Sequence, residues 1–139
     1  MRQLQSSIFI ETQGKGPVAI TDQVSGIVSR SEVSTGLCVL FVQHTSASLI
    51  IQENADPTAR ADLERWLERI APQGEPYYRH RAEGPDDMPS HIRAAITSVS
   101  VTIPVTSGAL ALGTWQGIYL WEHRSRPHRR TVVVHVIGE

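Results

Sequence analysis

At 139 residues the chain has the length of one domain around one hydrophobic core and is too short for two comfortable ones. Thirteen lysines and arginines against fourteen aspartates and glutamates leave a formal net charge of −1, which removes the electrostatic case for nucleic acid or an anionic membrane as partner. Cys38 is the only cysteine, so there is no intrachain disulfide framework; no apolar run reaches the roughly 20 residues of a membrane span, and the start MRQLQSS lacks a signal peptide's apolar core, so the expectation is a soluble, cytoplasmic chain.

In chain order, Gln3 to Thr12 reads as an opening strand, with Leu4, Ile8 and Ile10 spaced among polar residues, ending at Gly14 and Gly16. Thr21 or Asp22 is placed to cap a helix whose apolar stripe is Val24, Ile27 and Val28, and Gly36 closes that unit. Gly36 to His44 is the clearest strand: Leu37, Val39 and Phe41 fall on one face and Cys38, Leu40 and Val42 on the other. Apolar residues on both faces predict a central strand. His44 and the hydroxyl-rich string Thr45, Ser46 and Ser48 follow it, before the apolar run Leu49 to Ile51.

Asn54 and Asp56 are capping residue types and Pro57 suits a first helical position, so a helix is predicted to start there. Leu63, Trp66, Leu67 and Ile70 would form its buried face, and Pro72 and Gly74 end it. After a Gly84–Pro85 turn, Asp86 or Asp87 is placed to cap another helix, with Met88, Ile92, Ala95, Ile96 and Val99 as its apolar face. Ser100 to Thr106 and Ala109 to Leu112 predict a hairpin; strands follow over Ile118 to Arg124 and Thr131 to Ile137, separated by a charged loop. The balance is α+β, with largely antiparallel strands and two to three helices.

The stretch His80 to His91, HRAEGPDDMPSH, concentrates residue types that ligate metals or move protons: His80, Glu83, Asp86, Asp87 and His91. Joined with His44 it offers three imidazoles, His44, His80 and His91, for a divalent metal, either zinc held by histidines or magnesium held by the carboxylates. Each residue also has a plainer role open to it: a histidine serves equally as a simple hydrogen-bonding group, and one of Asp86 and Asp87 is wanted as a helix cap. Thr45, Ser46 and Ser48 are candidates for phosphate binding or for capping local turns. Trp115 and Gln116 between glycines form either a tight turn or a pocket floor, and Glu122, if it faces the core, must be paired or protonated. His123, His128 and His135 are weaker candidates.

Three strings, HTSASL from His44, EGPDDMPSHI from Glu83 and LALGTWQGIYL from Leu110, together resemble the YjbQ-like family, also called secondary thiamine-phosphate synthase enzymes. QENADP from Gln52, TIPVT from Thr102 and the closing VVVHVIGE fit the same pattern, so the resemblance covers nearly the whole chain. It implies an α+β fold on a mixed β-sheet or sandwich, assembled as a homotrimer. It also implies that His44, His80, Glu83, Asp86, Asp87 and His91 share one site, supported by Thr114, Gln116 and Glu122. Residue types and resemblance together give the expected roles: metal ligation by His44, His80 and His91, catalysis by Glu83, Asp86, Asp87 and Glu122, and substrate binding by Thr45, Ser46, Ser48, Thr114 and Gln116. The implied chemistry acts on a small phosphorylated metabolite, with weak thiamine-phosphate synthase activity; the alternative is a non-catalytic metal- or metabolite-binding module. Trp121 and the loop WEHRSRPHRR depart from the family pattern.

Overall fold

Eight strands and three helices follow one another in the order β1 (Arg2–Glu11), β2 (Gly16–Ala19), α1 (Thr21–Ser31), β3 (Gly36–Val42), β4 (Ala47–Glu53), α2 (Pro57–Ile70), α3 (Asp87–Ile96), β5 (Ser100–Thr106), β6 (Ala109–Leu110), β7 (Gln116–Glu122) and β8 (Arg129–Gly138) in a computed structural model that describes residues 1–139. The strands form a five-stranded sheet in the order β1-β8-β3-β5-β6 and a three-stranded sheet in the order β2-β7-β4. Every strand pairing is antiparallel. This is the expected α+β architecture, without the parallel pairs that a mixed sheet would contain.

Period-two alternation explains the core. Cys38, Leu40 and Val42 of β3, Val132, Val134 and Val136 of β8, and Ile118 and Leu120 of β7 point inward with Val24, Ile27 and Val28 of α1 into one cluster of 19 buried residues. Each such side chain contributes about 1.5–3 kcal/mol by leaving water. Cys38 lies in this cluster, and burial pushes its thiol up to about 11. β3 is central as expected, between β8 and β5, but its outer face is open: Leu37 and Phe41 are 46% and 48% exposed, because no layer of this chain covers the outer side of the larger sheet.

Glycine is required where β3 enters the sheet. Gly36 pairs with Gly138 of β8, and a Cβ on Gly36 would lie 2.1 Å from the Ile137 carbonyl oxygen. The predicted hairpin forms through Val105↔Leu110 and Thr106↔Ala109, with Ser107 and Gly108 both at positive φ in the turn, although β6 is only Ala109–Leu110. β2 was not predicted; it is a four-residue edge strand containing Pro17, which edge positions tolerate.

The helices correct three expectations. Neither Thr21 nor Asp22 caps α1: Ile20 holds that position, and the Thr21 hydroxyl instead accepts the Ile118 N–H at 2.9 Å. Asp56 does cap α2, accepting the Thr58 N–H at 2.9 Å, but only Leu67 of the predicted apolar face is buried, with Trp66 and Ile70 in solvent. α3 is rotated from its predicted face: it buries Asp87, Pro89, Ser90, Arg93 and Ala94, while Ile96 is exposed. Polar partners on neighbouring segments outweigh the apolar stripe and turn the charged side inward.

Candidate functional site

The irregular segment between α2 and α3 returns His80 alongside the first turns of α3. Asp87 opens that helix and His91 follows four residues later, one turn along the same face. His80 Nε2 lies 2.5 Å and His91 Nε2 3.0 Å from the same Asp87 oxygen, Oδ2, and Glu83 Oε2 is 3.5 Å from His80 Nε2. One ligand atom from each of His80, Glu83, Asp87 and His91 lies within 4.8 Å of all the others. Asp87 is buried, whereas His80 and Glu83 face solvent.

Asp86 and Asp87 do not cap the helix with their side chains. Arg124, in the loop after β7, takes both. Its Nε donates to Asp86 Oδ2 at 2.9 Å, Nη1 to Asp87 Oδ1 at 2.8 Å and Nη2 to the Glu83 carbonyl at 2.8 Å. The Ser125 N–H also donates to Asp86 Oδ2, at 2.9 Å. Burial works to raise both carboxyls. Bonds from the Ser125 N–H and Arg124 outweigh it for Asp86, and the bond from His80 with the charges of His91 and Arg124 outweighs it for Asp87, so both lie below the usual carboxylate range. With Oδ1 tied to Arg124, Asp87 presents Oδ2 alone to the imidazoles.

His44 stands outside this cluster. Its Nε2 accepts the Thr131 N–H at 2.8 Å, which occupies the lone pair a metal would need, and burial followed by the Arg130 charge lowers its pKa. Of the three histidines expected together, His80 and His91 share the cluster with Asp87 and Glu83, and His44 does not. Glu122 is a structural carboxylate: fully buried, it accepts from Thr12 Oγ1 at 2.7 Å, Arg130 Nε at 2.8 Å and the Arg124 N–H at 3.1 Å. Burial acts to raise it, but the Arg130 and Thr12 bonds hold it below the usual range. It touches the cluster only by fixing the Arg124 backbone.

Of the three hydroxyls, Ser46 Oγ accepts from Arg130 Nη2 at 3.0 Å and Ser48 Oγ meets His123 Nε2 at 2.8 Å, both buried. Thr45 contributes its carbonyl, 3.0 Å from His91 Nδ1. Thr114 and Gln116 lie elsewhere. Gln116 pairs with Glu53 at the start of β7 and Glu122 with Ala47 at its end, so Gln116, with Thr114 just ahead of it, lies roughly 20 Å of strand from Glu122, the residue that holds the Arg124 N–H. There the Thr114 carbonyl accepts from Asn54, and Gln116 Oε1 from the Gly113 N–H.

Arg124 falls where the sequence predicts the end of a strand and the start of a charged loop, and no spacing in the sequence ties it to residues about forty positions earlier. Trp121, one of the departures from the family pattern, is buried and stacks on His123 with ring centroids 6.4 Å apart. No helix is long and apolar enough to cross a membrane.

The comparisons with known proteins extend over the whole of this arrangement. A UPF0047 protein of Synechocystis is 54% identical over 138 residues, covering 99% of this chain and 94% of that protein. The UPF0047 protein YjbQ of Salmonella typhimurium is 48% identical over 136 residues, covering 97% and 98%. Among solved structures, a YbjQ-like protein of unknown function from Sulfolobus solfataricus superposes with a TM-score of 0.90 at 26% identity, over 99% of this chain and 98% of that one. An uncharacterized YjbQ/UPF0047 protein from Clostridium acetobutylicum gives a TM-score of 0.87 at 35% identity, over 95% and 99%. The family model for UPF0047 protein YjbQ-like matches residues 6–139, and the chain belongs to that family.

Proposed function

We propose that this chain is a single-domain, metal-dependent enzyme in which His80, Glu83, Asp87 and His91 hold one divalent cation beside a small phosphorylated substrate. The observation that carries the reading is a tautomer. The Thr45 carbonyl can only accept, so His91 Nδ1 carries a hydrogen, and in the neutral ring Nε2 is then a bare lone pair. That lone pair faces Asp87 Oδ2, a second acceptor, at 3.0 Å. Two acceptors held face to face call for a cation between them, either a proton on the ring or a metal ion.

Two imidazoles with carboxylates fit zinc better than magnesium, which favours all-oxygen sets. Such a cation, when bound, lowers the pKa of a water or polarises a phosphoryl oxygen. The chain itself holds Asp87 through Arg124, fixes His91 through Thr45, and leaves His80 and Glu83 on the solvent side where a substrate arrives. Weak thiamine-phosphate synthase activity belongs to the same reading: the thiazole nitrogen forms a bond to the pyrimidine's methylene carbon, whose bond to the diphosphate oxygen breaks, and diphosphate leaves.

The proposal includes a homotrimer in the cytoplasm. Its support is the outer face of the larger sheet, where Phe9, Leu37 and Phe41 remain about half exposed, an apolar surface that a second copy would cover. Light scattering at the mass of a monomer would overturn the assembly.

Elemental analysis of the purified chain tests the metal. The expected result is zinc that is lost in a His80→Ala/His91→Ala double variant and retained in His44→Ala. Equal metal content in the double variant and the parent would sink the centre, and no thiamine phosphate above a no-protein control would remove the synthase activity.

A further inference from the structure

The Gly84–Pro85 turn borders two cavities beside the His80 to His91 segment. One, of about 540 Å³, is lined by Glu83, Asp86, Arg124, Ser125 and Arg126 among others, and its Asp86 and Arg124 already neutralise one another. The other, of about 450 Å³, has walls formed by Pro76, Tyr78, Pro85 and Met88, with His80 in its lining. That volume lies in the range of small-molecule sites, roughly 300–1,000 Å³. His80 is shared between this cavity and the four-residue cluster, so a molecule held here meets a candidate metal ligand directly.

Arg81 is the distinctive polar group of the cavity. Its Nε donates to the Tyr78 carbonyl at 2.6 Å and its Nη2 to the Pro76 carbonyl at 2.8 Å. Two neutral acceptors fix the guanidinium to the wall without cancelling its charge, and it makes no ion pair. The walls offer little to a hydroxyl-rich molecule, since Pro76 and Pro85 have no N–H and Met88 has no side-chain donor, so buried hydroxyls would lose water without replacement. A held, uncompensated guanidinium beside such walls suits an anion carried on an apolar body.

We infer that this cavity is the subsite for the body of the substrate, a small organic anion with a compact apolar frame, its anionic group on Arg81 and its other end at His80. The inference rests on the metal-centre reading for what happens at His80, but not for binding itself. Phosphate and carboxylate share the required chemistry. Glu75, the one acidic residue in the lining, opposes an anion and sets the sign of a second test.

The chain has two methionines, Met1 and Met88, so labelling with methyl-¹³C methionine gives two signals, assigned with Met88→Leu. Phenylphosphonate and benzoate are titrated with and without zinc, against benzamide and glycerol 3-phosphate as uncharged and hydroxylated controls. The expected result is a saturable shift of the Met88 methyl alone with at least one aromatic anion, weakened about tenfold or more in Arg81→Gln, strengthened in Glu75→Gln, and absent or weaker with both controls. The stronger of the two anions identifies the anionic group. No saturable Met88 shift with either anion, or an unchanged affinity in Arg81→Gln, overturns the inference. A Met88 shift in a chain that takes up no zinc leaves the cavity standing and removes the metal reading; zinc bound through His80 and His91 with a silent Met88 does the reverse.

Discussion

His91 Nδ1 stands 3.0 Å from the Thr45 carbonyl oxygen, joining the loop after β3 to a helix that begins about forty residues later. Because this bond sets the tautomer, His91 is expected to bind metal through Nε2 alone. His91→Ala should weaken zinc binding by more than the roughly 10–100-fold that loss of a supporting partner brings, whereas His44→Ala should leave it unchanged. Competition with a chelating dye measures both.

Arg124 is expected to act as a positioning residue for Asp87. Arg124→Gln should reduce zinc affinity about 10–100-fold, and Arg124→Lys should restore little of it, since one ammonium cannot reproduce the fork to Asp86, Asp87 and the Glu83 carbonyl. Equal affinity in the lysine variant and the parent would show that charge, not geometry, is what Arg124 supplies.

Glu122 is expected to matter for stability before chemistry. Removing its charge leaves Arg130 buried without its carboxylate, a loss of about 3–5 kcal/mol. Urea denaturation of Glu122→Gln measures it, and the folded fraction should still hold zinc. A variant as stable as the parent but inactive would return Glu122 to the catalytic list.

His123 sets the response to mild acid. Burial, aided by the Arg93 charge, lowers its pKa to about 3. The unfolded chain takes up this proton below about 6.5, so between those values it binds more protons than the folded chain, and stability falls with pH by up to about 1.4 kcal/mol per unit. Urea midpoints at pH 7, 6 and 5 should decline in the parent and decline less in His123→Gln. Identical slopes in the two proteins would discount the role of His123.

What could be read from the sequence was what depends on neighbours along the chain. Alternation placed Cys38, Leu40 and Val42 correctly, and Asp56 with Pro57 marked the start of α2, because both signals act within a few residues. The His80, Glu83, Asp87 and His91 grouping was visible for the same reason, being contained in one short stretch. Contacts across sheets were not visible. The register that gives the His44 lone pair to Thr131, and the loop that brings Arg124 to Asp87, are set by tertiary pairing. α3 misled because its apolar stripe is real in sequence, yet Asp87, Ser90 and Arg93 find partners inside: Ser90 donates to the Asp86 and His123 carbonyls and Arg93 to the Ala71 carbonyl.

β8 lies between β1 and β3 in the larger sheet, yet it follows both of them along the chain. While the protein is being synthesised, β1 and β3 therefore emerge before the strand that joins them: β1 has no partner in its sheet until Arg129–Gly138 follows, and β3 has β5 on one edge only. A chain cut short before Arg129 has β1 without its partner and one edge of β3 open, the kind of intermediate on which chaperones and proteases act.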